Sequence, residues 1–215
     1  MWAHGVARRT TGLRAGAGLI VSVEGSIGAG KSTTAKYLAD RLSWGTLQEE
    51  TTRHPFLADF YTDPTRYAIE TELGFVLLHY HQVKVLDLSN NWVADFSPGK
   101  DLVFGRMNLQ GRELDLFHHV YQALTDTVVK PDLAIFLDLP LAVLQRRIAS
   151  RGRPYELGIT SDYLVELRKH YLSELELLAT RVRVLALDGE ETRAAVGDKA
   201  HEIVSEVLFG QERLL

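Results

Sequence analysis

Residues 19–33 read LIVSVEGSIGAGKST, which is a short β-rich run, then a glycine-rich loop, then the start of a helical pattern. The loop matches G-x-x-x-x-G-K-[ST] between a predicted strand and a predicted helix, the setting that a phosphate-binding loop requires. Its glycines let backbone N–H groups approach a phosphate, and the helix start adds the positive end of its dipole. We therefore expect a nucleoside triphosphate to be held by Gly25, Ser26, Ile27, Gly28, Ala29, Gly30, Lys31, Ser32 and Thr33.

Two residues of this loop have expected tasks of their own. Lys31 would reach the β- and γ-phosphates, and the Ser32 hydroxyl would hold Mg²⁺. The alternative is a plain glycine turn capped by Ser32, and the strand–loop–helix order disfavours it. The motif alone leaves open whether the triphosphate is hydrolysed, drives a switch or donates its phosphate.

Short β-rich runs alternate with helical patterns along the remaining chain. Strands are predicted at 19–24, 45–48, 92–96, 133–139 and 182–187, and helices at 31–42, 64–86, 108–127, 140–150, 161–178 and 192–208. Ser161 or Asp162 is expected to cap its helix, and no regular element is predicted between Phe96 and Asn108. The alternation predicts an α/β fold, a five-stranded parallel sheet covered by helices on both faces.

Composition narrows the function classes. The 215 residues are 46% hydrophobic and 24% charged, as expected for one globular domain. With 24 Lys and Arg against 28 Asp and Glu, the net charge of −4 argues against nucleic acid as a partner. The absence of cysteine excludes disulfides and thiolate chemistry. No apolar run approaches the roughly 18 residues of a membrane span, so we expect no membrane partner and a cytoplasmic location.

The first 18 residues differ from the rest. They contain Arg8, Arg9 and Arg14 but no acidic residue, and they have no apolar segment typical of a secretory signal. We interpret residues 1–18 as a flexible leader, with an organellar transit peptide as the alternative. The folded domain is therefore expected at residues 19–215.

Arginines are concentrated between residues 146 and 153, in the sequence RRIASRGR. Arg147 and Arg151 are four residues apart, on one face of a predicted helix, and Arg153 follows Gly152. Phosphoryl transfer needs positive charge around the transferred group, and arginine provides it with two donors. We expect an arginine-rich lid over the phosphate loop. The alternative is a solvated cationic helix end.

Carboxylates follow the predicted strands at the edge where α/β proteins bind ligands. Glu49 and Glu50 end the second strand, and Asp95 ends the third. One carboxylate there could accept a proton from an attacking hydroxyl, and another could hold Mg²⁺ beside Ser32. The histidines show no metal-binding spacing, and we predict no zinc site.

Several motifs together resemble the deoxyribonucleoside kinases, in particular the bacterial deoxyguanosine and deoxyadenosine kinases, over residues 19–189. They are VEGSIGAGKST at 23–33, Glu49 five residues before HPFL at 54–57, then Phe60 and Tyr61, RGRPYE at 151–156 and DYL at 162–164. The resemblance implies the three-layer P-loop kinase fold, with a kinase domain at residues 19–215. It also implies transfer of the γ-phosphate of ATP, with Mg²⁺, to the 5′-hydroxyl of a deoxynucleoside in nucleotide salvage, and it implies a homodimer.

The resemblance also assigns roles around the reacting groups. Glu49 would be the general base on the 5′-hydroxyl, with Glu50 as the neighbouring alternative. Tyr61 would bind the 3′-hydroxyl, helped by Glu156. Ser32 and Asp95 would hold Mg²⁺. The residues implied to act on the transferred phosphate are Lys31, Arg147, Arg151 and Arg153.

Three further residues are implied at the base of the substrate. Glu72 and Asp101 would face the base from two sides, and Phe104 would stack on it. An ionised carboxylate only accepts hydrogen bonds, and the Watson–Crick edge of guanine offers two neighbouring donors. We therefore expect a purine deoxynucleoside, with deoxyguanosine favoured over deoxyadenosine. His79 stands where many members of the family have an arginine that contacts the base.

Two other functions are weighed against this one. A nucleoside monophosphate kinase of the thymidylate kinase type would need an Asp-Arg pair after the third strand, and Phe96 stands there instead. A regulatory P-loop NTPase would leave the clustered arginines unexplained.

Overall fold

The structure is a computed structural model that describes residues 17–180, 182–188 and 193–209. These residues contain five β-strands and eight α-helices. The predicted leader lies outside these parts except for Ala17 and Gly18. Within them, no helix combines the length and the apolarity that a membrane span requires. The elements are β1 (Ile20–Gly25), α1 (Lys31–Leu42), β2 (Gly45–Leu47), α2 (Leu57–Thr62), α3 (Pro64–Lys84), β3 (Trp92–Ala94), α4 (Pro98–Asn108), α5 (Gly111–Thr125), β4 (Leu133–Asp138), α6 (Leu141–Arg151), α7 (Ser161–Leu178), β5 (Arg183–Asp188) and α8 (Arg193–Phe209).

The strands form one parallel sheet in the order β2-β3-β1-β4-β5. β1 lies in the centre, where Val21 pairs with Val93 of β3 on one side and with Leu133 of β4 on the other. All six residues of β1 are buried. The predicted α/β fold with a five-stranded parallel sheet is therefore confirmed, and the loop after β1 leaves the middle of the edge where such sheets bind ligands.

Helices cover both faces of the sheet, and β4 shows how its residues are divided between them. Leu133, Ile135 and Leu137 pack on one side with residues of α1, α6 and α8. Ala134 and Phe136 point to the other side and pack with residues of α4 and α7. Because successive strand residues face opposite sides, the continuous apolar run of β4 reflects burial on both faces.

The structure corrects the prediction between Phe96 and Asn108, where α4 forms. No helix was predicted there, although proline is favoured in the first turn of a helix, where its missing N–H is not needed. α5 begins at Gly111, since Leu109 is extended and ends α4. The short α2 was also not predicted.

The cap of α7 also differs from the prediction. The Thr160 hydroxyl accepts a hydrogen bond from the Tyr163 N–H at 3.2 Å, so the capping residue precedes both predicted candidates, Ser161 and Asp162. Threonine serves this role as serine does, and sequence alone does not choose between adjacent candidates.

We expect Gly105→Ala to destabilise the fold, because α4 packs closely on α5 at this glycine. A Cβ atom there would lie 2.4 Å from the Phe117 ring, which is fully buried and has no room to move. Overpacking of this kind costs about 1–3 kcal/mol, which exceeds the gain in helix propensity. Urea unfolding measures the change. Gly158→Ala is the control, since nothing lies within 4 Å of its added methyl group; equal stability of the two variants would contradict this packing.

Candidate active site

The loop between β1 and α1 depends on three glycines with positive φ. These angles are 146° at Gly25, 82° at Gly28 and 99° at Gly30, values that side-chain-bearing residues rarely adopt. The Lys31 ammonium donates to the carbonyl oxygens of Gly25 at 2.9 Å and Ser26 at 3.1 Å. Burial, together with the nearby Lys100, lowers the pKa of Lys31 to about 8, although Glu49 and Asp95 oppose the shift. The protonation of Lys31 therefore depends on burial and on the charged side chains around it.

One cavity adjoins this loop, and most predicted site residues line it. They are Ile27, Gly28, Lys31, Ser32, Glu49, Tyr61, Glu72, Asp95, Asp101, Phe104, Arg151, Arg153 and Glu156. The remaining predicted residues are not among those that line the cavity: Gly25, Ser26, Ala29, Gly30, Thr33 and Arg147. The cavity therefore brings together residues from the phosphate loop, the strand ends and the arginine segment, which are far apart in the chain.

Glu49 is held at the end of β2 by contacts to three other segments. Its backbone N–H donates to Asp95 Oδ1 at 2.7 Å, which joins the ends of β2 and β3. Its Oε1 lies 3.1 Å from His79 Nε2 and also accepts a hydrogen bond from Lys100 Nζ. Burial opposes ionisation, but the Lys100 and His79 charges outweigh it and hold the pKa of Glu49 far below its usual range. Glu49 is therefore an ionised, oriented carboxylate.

Glu50 is placed differently from Glu49, although the two were adjacent candidates. It pairs with Arg53 at 2.7 Å, and 39% of its side chain is exposed. It is not among the residues that line the cavity. Of the two, only Glu49 has the geometry to meet a substrate in the cavity.

The two ring nitrogens of His79 contact two different carboxylates, those of Asp101 and Glu49. Its Nδ1 lies 2.7 Å from Asp101 Oδ1, and its ring stacks on Phe96 with centroids 4.1 Å apart. Burial disfavours the charged ring, but Asp101 and Glu49 raise the pKa of His79 to about 9. The imidazolium then donates to both acids. The resemblance placed His79 at a base-contacting position, and no pattern along the chain predicted its contact with Glu49.

Glu72 lies in a different electrostatic environment. It is 2% exposed and accepts a hydrogen bond from Asn108 Nδ2 at 2.8 Å. Burial raises the pKa of Glu72 to about 8, and the Asn108 hydrogen bond offsets only part of that effect. At neutral pH this side chain is therefore mainly a neutral acid, which can donate as well as accept.

The arginines do not form a single cluster. Arg151 donates to Glu156 Oε2 from two nitrogens, at 2.9 and 2.6 Å, and Arg153 lies 3.3 Å from Oε1. Arg147 instead donates to the backbone oxygen of Ala29, in the phosphate loop, at 3.0 Å. An arginine-rich lid remains a prediction, with Arg151 and Arg153 as the members that face the cavity.

Tyr61 lies next to this arginine segment. Its ring stacks on the ring of Tyr155, with the two centroids 5.6 Å apart. Tyr155 immediately precedes Glu156 in the chain. Tyr61 and Glu156, expected to act on the same hydroxyl, thus both line the cavity within one small region.

Sequence reasoning assigned no role to Lys100 and Asn108, and it placed His79 only where many members of the family have a base-contacting arginine. Lys100 and Asn108 belong to α4, the helix that was not predicted. The signal that could have found them is the helical spacing of this segment. Residues three and four positions apart lie on the same face of a helix, and this spacing relates Asp101, Phe104 and Asn108. A correct helix assignment there would have placed them near one another.

Comparison with known proteins gives a family and a fold. The deoxynucleoside kinase family profile matches residues 21–209. The deoxyguanosine kinase of Bacillus subtilis is 29% identical over 180 residues, which span 79% of this chain and 86% of that protein. A deoxyguanosine kinase of Lactobacillus acidophilus is 31% identical over 166 residues, or 71% of this chain and 73% of that protein. The structure of a deoxyadenosine kinase from M. mycoides superposes with a TM-score of 0.78 at 20% identity, covering 88% of this chain and all of that one.

The family match covers nearly all of the described residues, and the sheet and phosphate loop agree with the shared fold. The chain therefore belongs to the deoxynucleoside kinases, enzymes that phosphorylate deoxynucleosides with ATP.

Proposed function

We propose that this enzyme transfers the γ-phosphate of ATP to the 5′-hydroxyl of a purine deoxynucleoside, with deoxyguanosine favoured and deoxyadenosine accepted. One observation carries the proposal: a single cavity is lined by the phosphate-loop residues Lys31 and Ser32, by the ionised Glu49 and by the acidic pair Glu72 and Asp101. Phosphoryl transfer depends mainly on positioning and on charge stabilisation, and this cavity has groups for both.

Each end of the reaction has assigned groups in this proposal. Glu49 receives the hydrogen bond of the attacking 5′-hydroxyl, and Lys31, Arg151 and Arg153 balance the charge of the phosphates. Tyr61 and Glu156 bind the 3′-hydroxyl. Phe104 stacks on the base. Arg147 would act through the phosphate loop, by its hydrogen bond to the Ala29 carbonyl.

Mg²⁺ fits residues in the first turn of α1 and just after β3. Ser32 and Asp95 both line the cavity, and oxygen is the ligand that Mg²⁺ prefers. Asp95 Oδ1 already accepts the Glu49 N–H, so Oδ2 is the oxygen that would be offered to the ion. When bound with ATP, the ion would neutralise charge on the phosphate oxygens.

The purine preference draws on Glu72 and on the relatives. An ionised Glu72 suits the two neighbouring donors of guanine, whereas a protonated Glu72 suits the donor and acceptor of adenine. With a pKa of about 8, the protonated form prevails at neutral pH and the ionised form above about pH 8, so Glu72 admits both purines and the preference for deoxyguanosine is drawn from the relatives. Among the relatives are a deoxyguanosine kinase and a deoxyadenosine/deoxycytidine kinase of Bacillus subtilis, the latter 30% identical over 161 residues. A homodimer and a cytoplasmic location stay predictions.

Triphosphate consumption tests the reaction class. We expect ATP turnover to be slow alone and to rise strongly when a deoxynucleoside is added, with a 5′-monophosphate as the product. Coupled ADP detection and chromatography of the nucleotides measure both quantities. Equal ATP turnover with and without deoxynucleosides would favour a regulatory NTPase, and turnover only with deoxynucleoside monophosphates would favour a monophosphate kinase.

Glu49→Gln should lower kcat by at least ~10²-fold, the scale of a group that assists proton transfer. The KM for the deoxynucleoside should change much less, because binding draws on the base and 3′-hydroxyl contacts. Glu50→Gln is the matched control, since Glu50 pairs with Arg53 at the surface. If Glu50→Gln carried the loss and Glu49→Gln did not, the assignment would move to Glu50.

The preference for deoxyguanosine over deoxyadenosine should rise with pH, measured as the ratio of kcat/KM for the two substrates. Burial raises the pKa of Glu72 to about 8, so its ionised fraction increases roughly 30-fold between about pH 6.5 and pH 9. The titration of Lys31 acts on both substrates alike and cancels in the ratio. Glu72→Gln should make the ratio independent of pH. A pH-independent ratio in the unchanged enzyme would remove Glu72 from base selection.

A further inference from the structure

Two side chains donate hydrogen bonds to the same oxygen of Glu49. His79 on α3 lies 3.1 Å from Oε1, and Lys100 on α4 contacts Oε1 as well. In the segments for which the structure gives side chains, we find no hydrogen bond to Oε2. Because Glu49 lines the cavity, Oε2 is the oxygen left to meet a hydroxyl group.

Lys100 is almost completely removed from water. It is 8% exposed, and its ammonium lies 5.2 Å from the centre of the Phe75 ring and 5.4 Å from that of Phe104. A buried ammonium is costly unless it is paired. Glu49 supplies the direct partner, so the position of the Lys100 side chain is tied to the position of this carboxylate.

His79 by itself would leave Glu49 free to rotate. A carboxylate bonded at one oxygen by one donor gives up a single hydrogen bond when it turns about its Cγ–Cδ bond. Here the same turn would break contacts to donors on two different helices, α3 and α4. His79 is in turn fixed by Asp101 and by the Phe96 ring. The two donors together therefore determine where Oε2 points.

We propose that Lys100 is a positioning residue of the phosphoryl transfer: it holds Oε1 of Glu49 so that Oε2 faces the 5′-hydroxyl of the deoxynucleoside. This inference rests on the proposed function, since Glu49 must meet the hydroxyl for its orientation to matter. Misplacement of a reacting group by about 1 Å is enough to cost on the order of 10² in rate. A cation four residues after Phe96 thus determines the geometry at the acceptor.

Lys100→Met tests the role, because methionine keeps most of the length but neither charge nor donor. We expect kcat to fall by at least about 10-fold, while the KM for deoxyguanosine changes by less than about threefold. Lys100→Arg, which keeps the charge and the donors, should restore most of kcat. Lys36→Met is the matched control, since Lys36 is an exposed residue of α1 that pairs with Asp40; its kinetics should equal those of the unchanged enzyme.

A double-mutant cycle separates positioning from a merely structural role. If Lys100 acts through Glu49, adding Lys100→Met to Glu49→Gln should change kcat by less than about twofold. The inference would be overturned if the fold losses in kcat of the two single variants multiplied in the double variant. A near-normal kcat in Lys100→Met alone would also overturn it. Melting curves establish that each variant is folded. Should Lys100→Met not fold, Lys100→Leu, which likewise removes both the charge and the donors, carries the same comparison.

The outcomes also separate this inference from the proposed function. An unchanged enzyme that does not phosphorylate deoxynucleosides would defeat both. An active enzyme in which Glu49→Gln is impaired and Lys100→Met is normal would defeat the role of Lys100 alone.

Discussion

The ionised, largely buried carboxylate of Glu49, just after β2, imposes the main constraint on the site. A charge removed from water must be paired, and its partners are His79 of α3 and Lys100 of α4, while the Glu49 backbone N–H donates to Asp95 just after β3. These contacts bring two helices and two strand ends to one point beside the phosphate loop. The rest of the cavity follows, because α3 also carries Glu72 and α4 also carries Asp101, Phe104 and Asn108.

Two carboxylates in one cavity have opposite properties. Cations surround Glu49 and keep it ionised, whereas burial with an amide partner makes Glu72 a weak acid. The difference arises from the neighbours, since both side chains are chemically the same. In the proposed reaction, the ionised Glu49 would orient the hydroxyl, and Glu72 would recognise the base by hydrogen bonds. The surroundings of the two glutamates would then fit each of them to a different task.

Local patterns predicted much of this molecule. The phosphate loop, the burial of β4 on both faces and the parallel sheet could all be predicted, because each depends on residues that are close in sequence or on a simple period. The helix α4 could not, because Ser97-Pro98-Gly99 is compatible with either a turn or a helix start. Since Lys100 and Asn108 lie on α4, that single error also hid two members of the site.

By itself, the sequence determined the class of fold and the presence of a phosphate-binding loop, because glycine spacing and hydrophobic period are properties of the local chain. It also supplied the candidate acids at the strand ends. Only the tertiary structure decided that Glu49 and not Glu50 lines the cavity, that His79 joins Glu49 to Asp101, and that Arg147 donates to Ala29 of the phosphate loop. Those choices depend on distances between segments up to about a hundred residues apart, and the protonation of each group depends on burial, which packing alone creates.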